Sequence, residues 1–209
     1  MKFLLFIEGY TERKAVPAFL KRWLDPRLSK PVGITTVRFD GWAELIKDVA
    51  QKTAMYLNSP RESKDIIAVI ALLDLYGPNI YPDDKASVKD RYEWLKNEIE
   101  KKVSSPRFRL FCAVHETEAW LLSDPKVFPT DVATTLKAKV AHPETVNFKT
   151  PPAKYLEKLY ETNPGRYYGK VADGATLFRK LDPEVAYAKC PYLRAMLDEM
   201  LKLAQEAGL

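Results

Sequence analysis

Residues 3–7 are all apolar, and the run stops at Glu8 and Gly9. A short continuous run of this kind, followed by helical spacing, predicts a strand buried on both faces that ends in a tight turn into a helix. In that helix Ala15, Val16, Phe19, Leu20, Trp23 and Leu24 share a face, and Asp25-Pro26 ends it. Pro17 has no N–H to donate, so the regular helix is expected to start close before it. Residues 32–39 are β-branched and partly alternating, which predicts a second strand. Asp40-Gly41 turns the chain into a second helix marked by Trp42, Leu45, Ile46, Val49 and Ala50. The most apolar segment, residues 66–73, has the β-branched content of a central parallel strand and runs into Asp74.

A Pro- and Asp-rich loop over residues 77–84 follows. Ser87 with Asp90 three residues on resembles a capping box and opens a helix carrying Tyr92, Leu95, Ile99 and Val103. Residues 107–114 alternate early and then become continuously apolar, another buried strand. His115-Glu116-Thr117-Glu118 begins a short helix that runs to Leu122 and stops at Asp124-Pro125. Strands separated by crossover-length helices predict an α/β fold with a mostly parallel, Rossmann-like sheet flanked by helices. From Val127 onward prolines break the pattern into short helices, with a good N-terminal signal at Asp182-Pro183-Glu184. The last helix, near residues 191–207, carries Leu193, Met196, Leu197, Met200, Leu201 and Ala204 on one stripe. The expected organisation is an α/β core over residues 1–124 and a helical C-terminal extension over 125–209 packed on it.

Composition changes this picture little. The chain has 209 residues, 46% hydrophobic and 29% charged, as expected of a globular protein with a sizeable core. Lys and Arg outnumber Asp and Glu by 33 to 28, and this +5 agrees with a polyanionic partner without singling one out. Cys112 and Cys190 fit no metal-ligand spacing and read as small buried hydrophobes in a reducing compartment. The first apolar run is too short for a signal peptide, and no stretch is long enough to span a bilayer, so a cytoplasmic protein without a membrane partner is expected. No Walker-type loop is present, so any ATP chemistry would come from elsewhere.

The acids change the picture more. A parallel sheet gathers the carboxyl ends of its strands at one edge. Glu8, Asp74 and one or both of Glu116 and Glu118 are expected to converge there. Packed carboxylates repel unless a cation neutralises them, and a hard divalent ion with oxygen ligands, Mg²⁺ or Mn²⁺, suits that task. Such a centre can polarise a phosphoryl oxygen and supply a hydroxide nucleophile. Glu116 and Glu118 equally suit the first turn of a helix, where they would interact with its dipole, as does Glu12 on the first helix. His115 reads as a ligand or proton shuttle, or as a structural histidine. Asp83 and Asp84 read as solvated loop acids.

The segments Phe-Ile-Glu8-Gly-Tyr-Thr-Glu12, Leu-Leu-Asp74-Leu-Tyr-Gly-Pro and His115-Glu-Thr-Glu118-Ala-Trp together resemble a Toprim-like family known as domain of unknown function 4276. Pro151-Pro-Ala-Lys154, Tyr-Tyr-Gly-Lys170-Val-Ala-Asp173-Gly174 and Ala188-Lys-Cys190-Pro extend the likeness over nearly the whole chain. The resemblance implies a Toprim-type fold related to the catalytic domains of topoisomerases, primases and overcoming-lysogenization-defect nucleases. In those enzymes a glutamate after the first strand acts as acid/base or ligand, and an Asp-x-Asp pair after a later strand binds Mg²⁺. By position these are Glu8 and Asp74. Tyr76 stands where the second aspartate would be, so Glu116 or Glu118 would have to supply the missing ligand. Lys154 and Lys170 would face phosphates, or else be surface lysines beside an Asp-Gly turn. The function so implied is a metal-dependent nuclease acting on DNA or RNA, paired with a co-encoded ATPase in bacterial phage defence. The alternatives are a Toprim-like subunit that binds an ATPase without catalysis, and a metal-dependent hydrolase or transferase of a small phosphorylated molecule.

Overall fold

Four strands, β1 (Lys2–Ile7), β2 (Gly33–Arg38), β3 (Ile66–Asp74) and β4 (Phe108–Ala113), pair in the order β2-β1-β3-β4, and every pairing is parallel. The structure is a computed structural model and describes residues 1–136, 141–145, 150–162 and 167–209. From β1 the chain moves outward to β2 through α1 (Tyr10–Leu24). It then crosses back past β1 to β3 through α2 (Trp42–Leu57), and on to β4 through α3 (Val88–Val103). The direction of winding therefore reverses between β1 and β3.

That reversal places helices on both faces, which is why β1 is apolar on both. Phe3, Leu5 and Ile7 join a cluster with Val16, Phe19 and Leu20 of α1. Leu4 and Phe6 join another with Leu45 of α2 and Leu95 of α3. Burying side chains of this size is worth roughly 1.5–3 kcal/mol each and locks the register, because a one-residue slip would exchange the two faces. Where helices on adjacent crossovers leave for opposite faces, a crevice opens at the carboxyl ends of the strands.

After β4 every described element is helical: α4 (Glu118–Leu121), α5 (Thr130–Thr135), α6 (Pro152–Glu161), α7 (Lys170–Lys180), α8 (Pro183–Lys189) and α9 (Pro191–Glu206), with short 3₁₀ turns between some of them. Leu177, Phe178, Leu193, Met196 and Leu197 belong to the same hydrophobic cluster as α1 and one face of the sheet. Arg22 of α1 also ties α7 down. Its guanidinium donates to the carbonyls of Phe178, Arg179 and Leu181 at 2.6, 2.9 and 2.8 Å, satisfying the C-terminal end of that helix. Asp182 caps α8 by accepting from Glu184 N–H at 2.9 Å, and Ser87 caps α3 by accepting from Asp90 N–H at 3.1 Å.

Two local expectations change. Pro17 lies in the interior of α1, which begins at Tyr10. The helix continues through it without the bond that a Pro17 N–H would have made to the Arg13 carbonyl, and the apolar stripe from Ala15 to Leu24 holds both halves against the sheet. The helix expected from His115 starts only at Glu118, because His115 has a left-handed backbone (φ 67°) that no right-handed helix can include. No helix of the described residues is long and apolar enough to cross a membrane.

Candidate functional site

Register delivers the first two acids to one point. Phe6 pairs with Ala71, so Glu8, just past the end of β1, comes beside the end of β3 where Asp74 sits. The backbone N–H of Asp74 donates to Glu8 Oε1 at 2.8 Å. Asp74 Oδ1 in turn accepts from Thr117 N–H at 3.2 Å, in the segment that follows β4. Pairing between β3 and β4 carries on past the strand ends, with Leu75 N–H donating to Ala113 O and Tyr76 N–H to His115 O at 2.9 and 3.0 Å. Asp74 is thus held from both sides, at the point where the winding reverses.

The chain crosses the Glu8 carboxylate at Gly77. A Cβ there would lie 3.2 Å from Trp42 Cδ1 and 3.8 Å from Glu8 Oε2, so a side chain at this position would press on the indole. Beyond Gly77 the loop turns back and is pinned by Tyr81, whose hydroxyl donates to Leu75 O at 3.0 Å. Its ring meets Trp94 edge-on at 5.9 Å and carries the Arg91 guanidinium 5.0 Å from its centre. Cys112 is buried below the two acids. Burial first, and then the charges of Glu8 and Asp74, push its thiol pKa up, so it stays protonated and inert. His115 is also buried, and burial pushes its imidazole down to about 4. A neutral ring at physiological pH suits a structural histidine at a left-handed corner.

The other two acids take different places. Glu116 precedes α4, and its Oε2 accepts from Ala153 N–H at 2.8 Å, so the carboxylate sits at the N-terminus of α6. A carboxylate is favourable at a helix N-terminus, and the helix that Glu116 meets is α6 and not α4, which it directly precedes. Glu118 opens α4, is fully buried, and lies 3.5 Å from Thr117 Oγ1. Asp74 reaches the amide of the residue between them. Among the described residues no group of three or more His, Cys, Asp or Glu side chains is arranged to hold a metal ion. Of Glu8, Asp74 and one or both of Glu116 and Glu118, expected at this edge, Glu8 is bonded to Asp74 and Asp74 to Thr117, while Glu116 reaches α6 and Glu118 is buried.

A family model described as "Domain of unknown function (DUF4276)" matches residues 7–201, from the last residue of β1 into α9. The chain belongs to the DUF4276 family. No curated protein matches it significantly. Among solved structures it is similar to the C-terminal region of the Burkholderia pseudomallei OLD protein, at 18% identity and a TM-score of 0.49 over 97% of this chain and 98% of that one. It is also similar to the C-terminal region of the Xanthomonas campestris pv. campestris OLD protein, at 20% identity and a TM-score of 0.47 over 99% and 98%.

In this DUF4276 chain the matched span includes both acids of the pair and the helices behind them. Lys154 is exposed on the first turn of α6, next to the amide that Glu116 holds. Lys170 opens α7, and its side chain lies outside the described residues. Asp173 is not part of an Asp-Gly turn. It lies in the first turn of α7, where its Oδ2 accepts from Gly169 N–H at 2.7 Å. Sequence reasoning gave no role to Thr117, Gly77 or Tyr168. Thr117 contributes a backbone amide, which leaves no trace in residue type. The Gly77 signal was the glycine itself, immediately after the Asp-x-Tyr motif. Tyr168 is buried between α6 and α7. Burial and then the charge of Glu118 push its phenol up, which places it near that acid.

Proposed function

We propose that this protein is a divalent-metal-dependent phosphodiesterase acting on nucleic acid, in the cytoplasm, with a partner ATPase. The observation that supports it is the Glu8–Asp74 pair at the β1–β3 switch point, joined by the 2.8 Å hydrogen bond. The donor set fits the ion: Mg²⁺ prefers oxygen and is commonly held by one or two carboxylates, with water and substrate phosphate completing its octahedron. A ready-made cage of three or more protein ligands is therefore not required. A bound Mg²⁺ or Mn²⁺ would supply Lewis-acid activation of the phosphoryl group and of an attacking water.

The chain's own groups do the rest. Glu8 and Asp74 would hold the ion, and Glu8 would take the proton from the attacking water. The Asp74 amide and the Thr117 amide fix the two carboxylates so that little reorganisation is needed. Glu116 and Glu118 stand on the β4 side, where they orient Thr117 and α6. Lys154, exposed on the first turn of α6, and Lys170 at the start of α7 are the cations proposed to meet substrate phosphates. The ATPase rests on the resemblance of the sequence motifs to a family that accompanies such enzymes.

A second reading is favoured by Tyr76, which occupies the position of a second aspartate: a subunit that docks on an ATPase without catalysis. One experiment decides between them. The purified protein, alone and with a co-encoded ATPase, is incubated with single- and double-stranded DNA and RNA in Mg²⁺ or Mn²⁺, beside Glu8→Ala and Asp74→Ala. Cleavage abolished by both substitutions supports the phosphodiesterase. No cleavage under any condition, or cleavage indifferent to both, sinks it. Activity confined to mononucleotides would instead make it a small-molecule phosphohydrolase.

A further inference from the structure

Tyr76 is the residue that the proposed chemistry does not use, and its surroundings suggest a use. The large hydrophobic side chains exposed among the described residues are Met1, Met55, Tyr76, Ile80 and Tyr167. Two of them, Tyr76 at 40% and Ile80 at 39% exposure, lie on the loop that follows Asp74. An exposed tyrosine two residues past one acid of the pair invites a flat ligand.

The placement of Tyr76 is fixed by the fold. Its N–H is bonded to His115 O at 3.0 Å, which continues the β3–β4 ladder. The next residue is Gly77, packed between Trp42 and the Glu8 carboxylate. The loop cannot swing freely beyond it, because Tyr81 is pinned by Leu75, Trp94 and Arg91. The backbone on either side of the ring is therefore anchored, and little conformational entropy remains to be lost when something stacks on it. Trp42, half-buried at the start of α2, lies against Gly77, the residue that follows Tyr76. Tyr76 and Trp42 thus flank Gly77 next to the acids, and a bare phosphate has no use for two aromatic side chains. A nucleobase does, since every base has a π-face, and stacking of this kind reads no sequence. In an intact duplex the base faces are already stacked on one another.

We propose that Tyr76 is a stacking platform for an unpaired base beside the scissile phosphodiester, so that the substrate is single-stranded nucleic acid. This deepens the phosphodiesterase reading and rests on it only for the word scissile; the platform itself is tested by binding. In place of a metal ligand, the position two residues after Asp74 supplies a base contact.

The test is fluorescence anisotropy in EDTA, where no cleavage occurs, with labelled single-stranded DNA and RNA of one sequence, the corresponding duplex, and an abasic strand of the same length. The proteins are wild type, Tyr76→Phe and Tyr76→Ala, each checked by circular dichroism. Tyr76→Ala is expected to weaken single-strand binding roughly 5- to 150-fold, the range that one lost base stack gives. Tyr76→Phe is expected to stay within about 2-fold of wild type, because the ring is kept. On the abasic strand the three proteins are expected to bind alike, and the duplex to bind more weakly than the single strand. Equal loss on abasic and normal strands, unchanged binding by Tyr76→Ala, or no nucleic-acid binding at all would overturn the platform. Stacking without cleavage in Mg²⁺ would uphold it and sink the phosphodiesterase; cleavage with a Tyr76-independent affinity would do the reverse.

Discussion

The side chain of Glu8 and the backbone of Asp74 are joined by a 2.8 Å hydrogen bond, although 66 residues separate them in sequence. That bond spans the gap between β1 and β3, where the winding of the sheet reverses. It fixes the Glu8 carboxylate through one oxygen and positions it against the neighbouring acid. Removing the charge and removing the hydrogen bond are therefore separable experiments. Glu8→Gln keeps an acceptor for the Asp74 amide and is expected to fold with a stability within about 1 kcal/mol of wild type, whereas Glu8→Ala leaves the amide to water and is expected to lose about 1 kcal/mol more. Both are expected to lose Mg²⁺-dependent cleavage by at least about 100-fold. Chemical denaturation and single-turnover rates on the same samples check the pair. Retained cleavage in Glu8→Gln would remove the carboxylate from the chemistry.

Glu116 supports α6 from outside the helix. Glu116→Ala is expected to cost about 0.5–2 kcal/mol, as the loss of a capping acceptor does, and Glu116→Gln less because it still accepts from Ala153 N–H. Urea unfolding of the two variants measures this. Equal stability of Glu116→Ala and wild type would mean that the bond at 2.8 Å contributes nothing to the fold.

His115 sits at a left-handed corner, φ 67°. Asn tolerates that conformation better than a β-branched residue does, so His115→Val is expected to be less stable than His115→Asn by about 1–2 kcal/mol, even though valine is the more apolar of the two in a buried position. A thermal melt series in which valine proves the milder substitution would contradict the strained corner.

Much of this was legible from the sequence, and the parts that were not share a cause. β1 and β3 were readable because each is apolar on two faces; residues 3–7 and 66–73 have no polar member at all. Glu8 and Asp74 were readable because each follows such a run, and a parallel sheet must bring those ends together. The contact of Glu116 with α6 was not readable, because no local pattern says which helix a loop acid will meet. The start of α4 was misplaced because the left-handed residue is a histidine and carries none of the signal a glycine would. Asp173 looked like a turn beside Gly174, but in α7 the glycine is simply a helical residue and the acid satisfies the amide of Gly169, just before the helix.

Glu144 makes the fold sensitive to pH. It is buried, its two oxygens accept from Tyr192 and Leu193 N–H at 2.9 and 3.2 Å, and burial pushes it up to about 7 against these bonds and the charge of Arg194. A carboxyl that holds its proton more tightly in the folded state stabilises the fold below its unfolded pKa, near 4.5, and that contribution is lost as pH rises through about 7. The full swing is on the order of 3 kcal/mol. Relative to Glu144→Gln, which cannot titrate, wild type is expected to lose stability between pH 4.5 and 7.5. Melting curves of the two proteins that stay parallel across that range would contradict the assignment.

The central claim is that Glu8 and Asp74 share one divalent ion. Mn²⁺ soaked into crystals of the wild-type protein and located by its anomalous scattering tests this without requiring any substrate. The expected result is one peak with an oxygen of each carboxylate about 2 Å away, absent from crystals of Asp74→Ala. A peak that touches neither acid, or one that survives the Asp74→Ala substitution unchanged, would contradict it.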